Sequence, residues 1–173
     1  MAVGECVLVI AELDLDGYRL LARLASKYDN VIWLSSNPCI PRKILDSISY
    51  KGNARIFGFR KNCGNFVNPM NLNEIISSIF KAGANEENSC VVISCISELL
   101  MLHKIEKIYQ FLIKLLNGAR KVFGMLIDGA QERRDELLIS TLFDISLRFK
   151  KEFNSGSLDI ILNHETQSSI HSV

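Results

Sequence analysis

A chain of 173 residues with 48% apolar and 23% charged residues has an ordinary globular balance and enough length to bury a core without staples. Its net charge of +1 excludes a global electrostatic pull toward nucleic acid or an anionic membrane. No stretch approaches the ~18 apolar residues of a membrane span, and no basic-then-apolar leader opens the chain. The five cysteines include no C-x-x-C pair, and three of them (Cys6, Cys90, Cys95) fall in apolar runs. Free thiols in a reducing cytoplasm are therefore expected.

Cys6–Ile10 reads as a buried strand, followed by a helical stripe from Gly17 to Tyr28. Val31–Ser35 is a second strand, and Pro41 opens a helix to about Tyr50. Ala54–Phe59 gives a third strand and residues 60–70 an Asn-rich loop. Asn71 or Asn73 caps the next helix, which runs to about Ala82. Cys90–Cys95 is the most apolar strand and is placed centrally. A long amphipathic helix is predicted from about Leu102 to Leu116, then a strand at Lys121–Ile127 and a helix at Arg133 to about Leu142. Phe143–Phe149 and Ser157–Leu162 pair across the Asn154-Ser155-Gly156 turn. These alternations predict one α/β domain over 1–173, with its core at about 5–162, a mainly parallel sheet flanked by helices, and antiparallel strands at the C-terminal edge. The last ten residues are expected to fray.

The octet from Ala11 to Tyr18 lies where a phosphate-binding loop would join the first strand to the first helix. Against G-x-x-x-x-G-K-[ST] it departs at all four fixed positions, with Ala11 and Asp16 for the glycines, Gly17 for the lysine and Tyr18 for the hydroxyl residue. Glu12, Asp14 and Asp16 bring carboxylates where a triphosphate needs N–H donors and an ammonium. The same acids have the D-x-D spacing of a divalent-cation loop, against which stands the simpler role of Asp16 as the helix cap. No catalytic residue, metal site or cofactor is assigned.

The order of these pieces resembles the RecA/KaiC-like ATPase superfamily, in particular its archaeal KaiC-like branch and its degenerate members, over Glu5 to about Leu162. Val91–Leu100 looks like that family's second nucleotide motif, a buried strand leading into a helix. Lys121–Asp128 followed by Phe143–Phe149 is similar to the family's next strand–helix–strand. The family's metal-binding acid falls on Ser94, which brings no formal charge to magnesium. With both the Walker A and Walker B motifs departed from, the resemblance implies a pseudo-ATPase.

Members of the superfamily assemble side by side, and degenerate ones such as the Elongator small subunits keep that habit. The resemblance thus implies a non-catalytic protein with a structural or regulatory role in a homo- or hetero-oligomer. Nucleic-acid binding, as in recombinase paralogues, is the alternative, with Arg55, Arg60 and Lys61 its candidates. A third reading, an enzyme of other chemistry, would use Cys95 with His103 or Glu98. Against it, Cys95 is read as a buried strand residue. Arg133 and Arg134, at the turn after the fifth strand, stand as possible ligands of a phosphate or a partner carboxylate, with a solvated helix start as the simpler reading. Trp33 is read as core.

Overall fold

Residues 5–152 and 155–162 are described in a computed structural model. Eight strands form one sheet: β1 (Val7–Ala11), β2 (Asn30–Ser35), β3 (Asn53–Gly58), β4 (Asn65–Phe66), β5 (Ser89–Ile93), β6 (Val122–Ile127), β7 (Ile145–Glu152) and β8 (Ser155–Leu162). Their spatial order is β4-β3-β2-β5-β6-β1-β7-β8. The first seven run parallel, and β8 lies antiparallel to β7. The expectation of antiparallel strands at the edge is corrected in this respect: β7 joins the parallel sheet through β1, because Val7 to Ala11 register with Ile145 to Phe149. The Asn154 position of the expected turn and the tail at 163–173 lie outside the described residues.

Helices cover both faces: α1 (Leu15–Ala25), α2 (Cys39–Ser47), α3 (Leu72–Lys81), α4 (Ile96–Leu102), α5 (Ile105–Gly118) and α6 (Arg133–Ser140). Strands buried on both faces need apolar residues at every position, which is why their sequences read as runs rather than alternations. Val7, Val9, Val31, Trp33, Cys90, Val92 and Met125 pack under α1 and α2. Leu8, Ile10, Ile32, Leu34, Val91, Ile93 and Leu126 face the opposite layer, where Ile75, Leu99, Phe111 and Ile139 come from α3 to α6. Trp33 is fully buried, as expected.

Three local expectations differ. The helix expected from about Leu102 to Leu116 is α5, which starts at Ile105 and runs to Gly118; a separate short helix, α4, precedes it, and His103 and Lys104 between the two are extended. Helix α1 begins two residues early, and its cap is Asp14, whose side chain accepts the Asp16 N–H at 2.9 Å, rather than Asp16. Cys39 and Cys63 form a disulfide that ties the start of α2 to the loop after β3. Cys6, Cys90 and Cys95 are free. The bridge removes the thiol argument for a reducing compartment. Among the described residues no helix is long and apolar enough to cross a membrane.

Candidate functional site

In a parallel sheet, ligands settle at the carboxyl ends of neighbouring strands whose following helices lie on opposite faces, since the connections there diverge and leave a crevice. Strands β2 and β5 are such a pair: α2 follows on one face and α4 on the other. The residues at this crevice are Ser35 and Ser36 after β2, and Ser94, Cys95 and Glu98 after β5. Tyr18 reaches it from α1.

Tyr18 is only 7% exposed. Burial and then the nearby Glu98 carboxyl push its phenol up, partly offset by hydrogen bonds with Ser35 and Ser94. A phenol therefore fills the ground between the ends of β2 and β5. Ser94 is fully buried, accepts the indole N–H of Trp33 at 3.0 Å and donates to the Leu34 carbonyl at 3.3 Å. Glu98 Oε1 accepts from Ser36 at 3.4 Å, while Oε2 is buried with no hydrogen-bond partner among the described residues. Burial raises its carboxyl above the ordinary range.

The first loop is shorter than a phosphate cradle. Only Glu12, Leu13 and Asp14 separate β1 from α1. The N–H of Asp16 is taken by the Asp14 carboxylate, so part of the α1 N-terminus already holds an anion of the chain itself. Asp16 pairs with Arg19 at 2.9 Å. At Gly17 an added Cβ would meet Ala11 Cβ and Met125 Sδ, each at 2.9 Å. The helix sits so close to β1 and β6 that a side chain there, lysine included, would require Ala11 and Met125 or the helix itself to shift. Among the described residues no group of three or more His, Cys, Asp or Glu could hold a metal ion, and the Glu12, Asp14 and Asp16 loop is no exception.

A second polar cluster lies where the charged turn from Asp128 to Glu136, legible in the sequence after the fifth strand, meets β7, a pairing the sequence did not show. Arg148 donates to Asp128 Oδ1 at 2.6 Å and also to Glu136 Oε1. Gln131 donates to Glu136 Oε2 and to the Ile127 carbonyl, and it accepts from Ser97 at 2.8 Å. Ser97 in turn accepts the Ile127 N–H. The hydrogen bonds run without a gap from Ile127 and Ser97 through Gln131 and Glu136 to Arg148 and Asp128, which is the pattern of a structural brace. Only the closeness of Ser97 and Glu98 on one helix turn hinted that two networks would meet at α4.

The remaining candidates are dispersed. Cys95 is fully buried, its Sγ 3.8 Å from the Leu34 carbonyl, and burial followed by the Glu98 charge holds its thiol well above 9.0. His103 does not serve it, being hydrogen-bonded to the Pro69 carbonyl at 2.8 Å. Arg60 and Lys61 are exposed in the loop after β3, with Lys61 Nζ 6.0 Å from the Phe66 ring centroid. Arg55 is exposed on β3 itself, away from that loop. Arg133 and Arg134 are exposed at the start of α6.

Solved structures share this fold. FlaH, a flagellar accessory protein from Methanocaldococcus jannaschii, superposes with a TM-score of 0.59 at 13% identity, over 91% of this chain and 77% of its own. The KaiC-like protein PH0186 from Pyrococcus horikoshii OT3 gives 0.54 at 16% identity, over 97% and 82%. PH0250 from the same organism gives 0.61 at 14% identity, over 92% and 87%. The fold is that of these archaeal KaiC-like and FlaH proteins. No protein-family model matches the chain, and no curated protein matches its sequence.

The resemblance seen in the sequence implies a nucleotide with magnesium, and the residues at the matching positions do not fit that group. A lysine at Gly17 would require its neighbours to shift, Ser94 already accepts and donates within the protein, and Tyr18 fills the crevice.

Proposed function

We propose that this chain is a non-hydrolysing RecA-fold protein whose role is structural or regulatory and is exercised through protein–protein assembly. The observation that carries this reading is the crevice at β2 and β5, filled by Tyr18 and closed by the Trp33–Ser94 hydrogen bond. A domain that fills its own ligand crevice retains its outer surface as its means of acting. Exposed apolar side chains support that use, among them Leu13, Met70, Met101 and Leu137. Light scattering coupled to size exclusion tests the reading. A stable oligomer, or a stoichiometric complex from the native cell, forms without nucleotide and is unchanged by ATP and magnesium. A monomer at all concentrations that retrieves no partner contradicts it.

Nucleic-acid binding is the second reading. Its support is the half-exposed Phe66 beside Lys61, with Arg60 in the same loop, an aromatic-and-cation pairing suited to an unstacked base. Polarisation of a labelled single-stranded oligonucleotide at low salt tests it; absence of binding removes it.

A further inference from the structure

Helices α3 and α5 touch at one end and part at the other. Gly118 lies so close to the Phe80 ring that a Cβ there would stand 2.5 Å from Cζ. Toward the beginnings of the two helices they enclose an open groove of about 500 Å³. Its apolar floor comes from Leu72, Ile76 and the buried Phe111, and Met70, 59% exposed, stands at its edge. Lys107, Gln110 and Lys114 line one wall at the spacing of a single helix face.

The electrostatics of the groove are one-sided. No Asp or Glu lines it, although Glu74 and Glu106 lie on the same helices. Neither Lys107 nor Lys114 has an ion-pair partner among the described residues. Asn68 and Asn71 already use their side-chain oxygens to accept backbone N–H groups of Met70 and Glu74, which leaves their NH2 groups as donors. The lining thus offers cations and donors around an apolar floor, the complement of a carboxylate-bearing amphipathic surface. The two lysines, seven residues apart, are separated by about 10.5 Å along the helix axis, the separation of carboxylates seven residues apart on another helix. Nucleic acid fits less well, because Phe111 is buried and the His103 ring is held by its hydrogen bond to the Pro69 carbonyl, so neither offers a free stacking platform.

We propose that the groove between α3 and α5 docks an acidic amphipathic helix of a partner protein. Carboxylates seven residues apart meet Lys107 and Lys114, and an apolar side chain between them seats on Leu72 and Ile76. This mode is helix-in-groove recognition with electrostatic register. The inference rests on the protein–protein reading above and names the kind of partner surface it would use.

Fluorescence polarisation of the full chain tests it, with a labelled alanine-based helical peptide carrying two Glu seven residues apart and Leu between them. Saturable binding is expected, weakened about tenfold or more in K107E/K114E and in a peptide with Lys in place of Glu. Raising salt from about 50 mM to about 500 mM weakens it further. Equal affinity of native and variant chains, no saturation up to about 1 mM peptide, or preference for an oligonucleotide of equal charge overturns the proposal. Amide shift changes on peptide addition, expected at residues 68–76 and 103–114, separate docking from a folding defect; changes confined elsewhere also overturn it. Failure here leaves the filled crevice untouched, whereas ATP bound in that crevice would undo the earlier reading and leave this groove standing.

Discussion

Trp33 donates its indole N–H to Ser94 Oγ at 3.0 Å, and both residues are fully buried. The contact joins β2 to the end of β5 at the position where the resembled family keeps a metal-binding acid. A hydroxyl that accepts from an indole and donates to Leu34 lacks the formal charge of a metal-binding acid, and its proton is already committed to the protein. Ser94→Ala should strand the indole N–H and cost about 1–3 kcal/mol. Urea unfolding followed by the fluorescence of Trp33, the sole tryptophan, measures it. An unchanged midpoint would show that the bond contributes nothing.

Gly17→Ala sets helix propensity against packing. Alanine is favoured by about 1 kcal/mol within a helix. The new methyl would press on Ala11 and Met125, and overpacking of this kind costs about 1–3 kcal/mol. Net destabilisation is expected in thermal melts. A more stable variant would mean that α1 can lift from the sheet and that a side chain fits at the loop.

Glu98 makes stability depend on pH. Burial raises its carboxyl above the ordinary 4.5, so the folded state holds the proton more tightly than the unfolded chain. That contribution is complete below 4.5 and is lost as pH rises through the elevated value. Glu98→Gln removes the titration, and its stability relative to the native chain should increase from acid to neutral pH. Paired melting curves across that range check the sign; a difference constant with pH contradicts it.

The Cys39–Cys63 bridge closes a span of 24 residues that includes β3 and the Arg60–Lys61 loop. Loop-closure entropy for such a span corresponds to about 2–4 kcal/mol. Cys63→Ser, or addition of reductant, should lower the urea midpoint accordingly and speed proteolysis near residues 59–66. Identical midpoints with and without reductant would show the two thiols unlinked in solution.

Periodicity and runs of apolar residues made most of this fold legible in the sequence. Val7–Ala11, Val31–Ser35 and Val122–Ile127 are buried on both faces, and a continuous apolar run is the direct signature of that condition. Helix α4 was not legible, because its seven residues are too few to show a period, and the turn after it is marked by the tertiary hydrogen bond of His103 to Pro69. The short β4 pairs two residues with β3, too few for any local pattern. At the crevice, the departures from a phosphate-loop pattern at Ala11, Asp16, Gly17 and Tyr18 could be read, but the contacts of Tyr18 could not. Tyr18, Ser35, Ser94 and Glu98 lie on three chain segments that meet only in the folded sheet. The Arg148–Asp128–Glu136 brace is nonlocal in the same sense.

Isothermal titration of the native chain with ATP in the presence of magnesium tests the central claim most directly. With Tyr18 in the crevice and Asp14 on the α1 N-terminus, no saturable heat is expected up to about 1 mM nucleotide. A magnesium-dependent isotherm with a Kd below about 1 mM, together with shifts at Tyr18 and Ser94, would contradict it.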